Sequence, residues 1–330
     1  AKPNGKALYQ AMITHMTDTT MTAEQVHQVG LDEVARITGE MDAILKAQGM
    51  TEGSVGERMA SLLTNERFLY PDTAEGKAKL LDDLRARRDA AMPVMQRLFE
   101  TMPAHTVDIE AVPAHLEASA PGGFYEAAAA DGSRPGLFSI NLYSTAVWPS
   151  YTLPTLVYHE TIPGHHMQID LGLTLNAPVL SNILYSNAFA EGWALYSEKL
   201  MFDEGAYADD PFGNLGRLQA ELHRSVRLVV DTGMHALGWS REDAIDYVVK
   251  TEGNHVDDAT AEVERYVVWP GQALGYKVGA LKIQELREKA QKALGSKFDI
   301  KAFHTAVLED AGLPLNVLEA KIDTWIAANS

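Results

Sequence analysis

A proline and a glycine interrupt the most chemically loaded run of this chain, His159-Glu160-Thr161-Ile162-Pro163-Gly164-His165-His166, and forbid a regular helix through it. Proline has no amide hydrogen and pushes Ile162 away from helical dihedrals, while glycine has access to positive φ. In the common zinc arrangement, His-Glu-x-x-His, the histidines are four apart on one helix face and the Glu points at a water on the metal. Here the fourth residue after His159 is Pro163. On an unbroken helix His166 would lie about 10.5 Å further along the axis and His165 would point about 240° around it. Neither could share with His159 one ion bonded at about 2 Å. If Pro163 and Gly164 loop out as a bulge, with Gly164 at positive φ, His165 returns to the position of the second ligand. The expected roles are His159 and His165 as metal ligands and Glu160 as general base, with His166 supporting the site or touching substrate. Ligation by His166 in place of His165 stays open.

A third ligand is needed for a catalytic zinc, which usually takes three protein donors and keeps one position for water. The segment from Ala188 to Tyr196 is apolar enough to be buried, so Glu191 and Glu198, seven apart on one helix face, need partners inside the protein. Glu191 is assigned to the metal and Glu198 to orienting a ligand histidine. The plainer reading of Glu198 is a surface salt bridge. The remaining histidines, His223, His235, His255 and His304, stand singly in helical patterns and read as ordinary hydrogen-bonded residues.

These residues resemble two known groups. Phe189-Ala190-Glu191, with Glu198 seven residues on, is similar to the third-ligand helix of the neurolysin and thimet oligopeptidase metallopeptidases. Pro163-Gly164-His165 resembles the end of their His-Glu-Phe-Gly-His motif with two residues inserted. The whole pattern is closer to a bacterial family known as domain of unknown function 885. Four of its phrases are matched, at Asp131 to Gly136, His159 to His165, Glu191 to Ala194 and Pro270 to Ala273.

The resemblance implies a large, mainly helical, neurolysin-like domain with a small β-sheet near the active site, a zinc cofactor and a peptide substrate. It points to Tyr276, in a Gly-Tyr helix start, as donor to the oxyanion; a tyrosine hydroxyl can donate without carrying charge. Tyr266 is the second candidate, and Arg265 could grip a substrate carboxylate through its planar fork. The plain alternative is a Pro-Gly loop feeding a helix whose tyrosines pack and whose Lys277, Lys282 and Arg287 are solvated. Family members are usually longer, so the chain is expected to be a C-terminal portion whose missing N-terminal part supplies half of the groove. The opening Ala1 to Gly5, without initiator Met or apolar signal, suits a processed or recombinant fragment. A periplasmic or exported lipoprotein setting follows from the resemblance alone; the chain carries no address, and the cytoplasm stays open.

Other function classes are restricted by composition. A net charge of −17 repels phosphate backbones and argues against nucleic acid as a partner. Zero cysteines exclude thiolate metal sites, disulfides and a cysteine nucleophile, which leaves histidine and carboxylate ligation. No apolar run is long enough to span a membrane.

Helical patterns are expected near 76–101, 155–204, 211–237, 240–251, 255–266, 272–292 and 315–328, and a capping box at Thr22 to Gln25 opens another helix. Strand character is confined to about 106–143. Within it Gly136 to Tyr143 alternates with period two, reading as a half-buried edge strand that could pair with an extended peptide. A division between an N-terminal helical part, 1–118, and a metal-bearing part, 119–330, is expected near the Asp-Gly-rich segment. The functional expectation is a zinc metallopeptidase. A zinc esterase or amidase, or a metal-binding module silent without its N-terminal half, are the alternatives.

Overall fold

The computed structural model of the chain describes residues 3–330 apart from 130, 176, 178, 179 and 182–185, and it is mainly helical with one small sheet. Part of the helical stretch expected at 155–204 lies outside the described residues. After α1 (Gly5–Thr17), Thr22 opens α2 (Ala23–Ala47) with the expected capping box. Its hydroxyl accepts from Gln25 N, and the Gln25 side chain accepts from Thr22 N. Val34, Ile37 and Met41 then fall on the buried face. Ser54 caps α3 (Val55–Leu63) in the same way, and α4 (Ala74–Leu98) follows.

Three strands come next, β1 (Val107–Ala111), β2 (Gly123–Glu126) and β3 (Gly136–Ile140), in the order β1-β3-β2. β3 pairs in parallel with β1 and antiparallel with β2. It is the central strand, which corrects the expectation of an edge. Gly136, Phe138, Ser139 and Ile140 are all buried, the pattern of a strand covered on both faces. β2 therefore forms an edge of the sheet, and β1 and β3 join across residue 119.

The remaining described helices are α5 (Leu153–Glu160), α6 (His165–Thr174), α7 (Asn187–Asp203), α8 (Pro211–Ala236), α9 (Arg241–Glu252), α10 (Val256–Val268), α11 (Gly275–Leu294), α12 (Ile300–Leu308) and α13 (Leu315–Asn329). One apolar core gathers the sheet with α4 to α7 and α11 to α13; another gathers α2, α3 and α8 to α10. α7 and α11 cross at backbone contact. A Cβ on Gly192 would lie 2.5 Å from Gly279, and one on Gly279 would lie 1.8 Å from the Ala188 oxygen, so both positions require glycine. This crossing fixes Glu191 of α7 relative to Tyr276 of α11. Lys277 is buried rather than solvated, paired with Glu33 of α2 and Glu221 of α8 at 2.7 Å each.

α1 is fastened by a buried carboxylate on α8. Asp231 accepts from the Tyr9 hydroxyl at 2.5 Å and from Gly271 N. Burial pushes the Asp231 carboxyl up to about 6, against hydrogen bonds that favour its charge. The folded state then holds this proton more tightly than the unfolded chain, so Asp231 adds stability as pH falls from above 6 toward the ordinary carboxylate range. The melting-temperature difference between wild type and Asp231→Asn is expected to move in favour of wild type between about pH 7 and about pH 4.5. Scanning fluorimetry checks the sign.

Candidate metal centre

α5 carries His159 and Glu160 at its C-terminal end, the next four residues turn the chain, and α6 begins on His165. The break thus separates two helices instead of bulging one; its Ile162–Pro163 peptide is cis. Gly164 has φ −76°, so the positive φ expected of it is not used. Glycine is needed there for room. A Cβ would lie 1.9 Å from the His159 carbonyl oxygen and 2.4 Å from that of Tyr158. Because the chain at Gly164 packs directly on the end of α5, His165 comes to stand beside His159, with ring centroids 4.8 Å apart and planes at 89°.

Glu191 reaches the same point from α7. Its Oε2 lies 3.6 Å from His159 Nε2 and 3.5 Å from His165 Nε2. One donor atom from each of the three residues falls within 4.8 Å of the others. Neighbouring ligands of a tetrahedral ion bonded at about 2.1 Å are about 3.4 Å apart, so these side chains could hold a metal with small adjustments. Behind them Glu198, buried, accepts from His159 Nδ1 at 2.8 Å and from the Thr155 hydroxyl. That bond places a hydrogen on Nδ1 and turns Nε2 toward Glu191.

Burial alone would lower the His159 pKa, but hydrogen bonds to Glu191 and Glu198 outweigh it and hold the imidazole up at about 9. Burial likewise opposes charge on Glu191, yet the two imidazoles keep its carboxyl well below the usual range. A cation bound here takes the place of a proton. Glu198→Gln is expected to weaken metal affinity about 10- to 100-fold, measured by competition with a chromogenic chelator; unchanged affinity would mean that Glu198 does not orient a ligand.

Glu160 is buried at the border of the same cleft, with no hydrogen bond or ion pair to a described residue. The cleft has a volume of about 590 Å³ and is bordered by the β2 edge at Gly123, Phe124 and Tyr125. Tyr276 also faces it, its ring centroid 4.7 Å from the Arg227 guanidinium. Burial and the nearby Glu191 charge raise the Tyr276 hydroxyl, keeping it a donor.

The other expected site residues are placed differently. Tyr266 is fully buried, donating to Glu262 at 2.7 Å and accepting from Arg227 Nε at 3.1 Å. Arg265 reaches the cleft, but its two terminal nitrogens donate to Gln272 at 2.8 Å and Glu262 at 3.0 Å. His166 turns away from the cluster. Its Nε2 donates to the His105 carbonyl at 3.0 Å and its Nδ1 accepts from Tyr125 at 2.9 Å, while burial lowers its pKa. With both nitrogens hydrogen-bonded and the residue 1% exposed, His166 lies outside the cluster of His159, His165 and Glu191 and ties α6 to the sheet.

Arg224 and Arg227 of α8 border the cleft without having been singled out in the sequence. Their only local sign is a pair of arginines three apart in a helix otherwise rich in Leu and Val. An adjoining chamber of about 380 Å³ shares Leu156, His159 and Arg224 with the cleft.

Fold and cluster together define a mainly helical protein with a three-stranded sheet and a pocket of two histidines and one glutamate. Residues 1–322 match the family described as "Bacterial protein of unknown function (DUF885)", and the chain belongs to that family. A candidate lipoprotein from Colwellia psychrerythraea is 48% identical with a TM-score of 0.97, over 99% of this chain and 56% of that one. A candidate lipoprotein of unknown function from Shewanella oneidensis has 20% identity and a TM-score of 0.78, over 95% and 59%, a likeness of fold alone. The chain therefore spans less than two thirds of either protein. No curated protein matches it. No helix among the described residues is long and apolar enough to cross a membrane.

Proposed function

We propose that this chain carries the zinc site of a peptide-cleaving hydrolase, with a ligand set like that of neurolysin-type metallopeptidases. The observation that carries the reading is the convergence of His159, His165 and Glu191 beside the carboxylate of Glu160, which makes no hydrogen bond or ion pair with a described residue. The donor set fits zinc: two imidazoles and a carboxylate, one imidazole held from behind by Glu198, in a chain without cysteine. Zinc in such a site supplies Lewis acidity toward a carbonyl and acidifies water. Glu160, without a hydrogen bond or ion pair to a described residue, takes a proton from the attacking water and passes it to the leaving amine. Tyr276 donates its hydroxyl hydrogen to the oxygen on which charge develops. An exported lipoprotein setting is part of the reading, supported by the two structural relatives.

Anomalous scattering at the zinc edge, together with a peptide panel, tests the proposal. One zinc peak between His159, His165 and Glu191, with cleavage of peptides in preference to esters, is the expected result. Cleavage of esters or simple amides alone would assign the other hydrolase class. Because the chain spans 56% and 59% of its structural relatives, a second reading is a metal-binding part that is silent by itself. Full zinc occupancy without hydrolysis by this chain or by the longer protein would establish it.

A further inference from the structure

Arg224 stands on α8 at the wall shared by the metal cleft and the adjoining chamber, alongside His159 and Leu156. In a chain of net charge −17 an arginine readily finds a carboxylate, and its neighbours have done so. Arg227 and Arg265 both bind Glu262, at 3.1 and 3.0 Å, and Arg217 binds Glu221 at 3.0 Å. Arg224 makes no ion pair among the described residues. Nη1 donates weakly to the Ala220 carbonyl at 3.3 Å, Nε is buried without a partner, and the guanidinium lies 6.0 Å from the Tyr276 ring centroid. Glu262 cannot serve it. That carboxylate already receives Arg227, Arg265 and the Tyr266 hydroxyl, with His223 at 3.6 Å.

A partly buried guanidinium without a counter-charge loses solvation with little return, and a ligand carboxylate restores the balance through a two-bond fork. We propose that Arg224 is the carboxylate anchor of this cleft, holding an anionic group of the substrate beside the His159, His165 and Glu191 cluster. The consequence, cleavage close to that carboxylate, rests on the hydrolytic reading above; the binding itself does not. Beyond Arg224 the chamber offers apolar walls at Leu63, Val147, Trp148 and Leu156 for the neighbouring side chain. A C-terminal carboxylate and an acidic side chain share the required chemistry.

Calorimetric titration of the full chain with N-acetyl-leucine and with N-acetyl-leucinamide tests the anchor without requiring turnover. Wild type is expected to favour the carboxylate by about 10- to 100-fold. Arg224→Gln should erase that preference and Arg224→Lys should restore part of it, with circular dichroism unchanged in both. N-acetyl-glutamate amidated at its α-carboxyl is the second arm; tighter binding of this probe than of N-acetyl-leucine supports the anchor and assigns it to an acidic side chain. Equal binding of all three probes, or a preference that survives Arg224→Gln, overturns the anchor. Peptides with free and amidated C-termini then separate the two proposals. Anchoring without hydrolysis by this chain or by the longer protein keeps the anchor and sinks the peptidase, whereas hydrolysis with no anion preference at either group does the reverse.

Discussion

Glu160→Gln is expected to bind about one equivalent of zinc and to lose turnover by about 10²- to 10⁴-fold, the usual contribution of a positioned general base. His159→Ala is expected to lose the metal itself. The contrast follows from what each side chain touches. His159 Nε2 faces the Glu191 carboxylate 3.6 Å away and is backed by Glu198, so its removal takes away a donor and leaves Glu198 without its imidazole partner. Glu160 has no such engagement; it borders the cleft without a hydrogen bond or ion pair to a described residue. Glutamine keeps its shape and volume and gives up its charge and its basicity. Zinc content by mass spectrometry and initial rates on a peptide substrate, read from the same preparations, check both halves. Equal zinc loss in the two variants would make Glu160 a ligand and remove the base from the scheme.

The site was readable from sequence where its parts are close along the chain and unreadable where a distant segment decides. His159, Glu160 and His165 announced themselves because donors are rare and Pro163-Gly164 had to break the helix between them. Glu198 was readable from its spacing to Glu191 in an apolar helix, since a buried carboxylate must be met by something, here His159 and Thr155. His166 was not. Its direction is set by Tyr125 on β2 and by the His105 carbonyl, both more than forty residues away. A solvated Lys277, part of the plain alternative for this helix, stayed open locally because its two glutamate partners are at 33 and 221. The central place of β3 depends on which strands flank it, and alternation within one strand carries no strand order. The helices α1, α3 and α12 escaped the periodicity; α3 and α12, nine residues each, offer few turns in which to show a pattern.

Gly164→Ala, the smallest of substitutions, is expected to disable the centre. Positive φ is not the reason, because φ is −76°. The reason is that an added Cβ would overlap the His159 carbonyl oxygen at 1.9 Å and the Tyr158 oxygen at 2.4 Å. These are backbone atoms at the end of α5 and cannot turn aside as a flexible side chain would. Either α5 or the start of α6 must move, and these are the two elements that bring His159 and His165 together. Overpacking a tight contact typically costs about 1–3 kcal/mol. A shift of about 1 Å in one ligand is also large against bonds near 2.1 Å. The expected result is a lower melting temperature and metal affinity reduced more than in Glu198→Gln, where both imidazoles stay in place. Gly39→Ala provides the comparison, since it lies on the exposed face of α2 with nothing within 4 Å of an added Cβ. That change should stabilise the helix by about 1 kcal/mol and leave metal binding untouched. Normal zinc affinity in Gly164→Ala would show that the two histidines tolerate separation, and the close packing at Gly164 would then be a feature of folding alone.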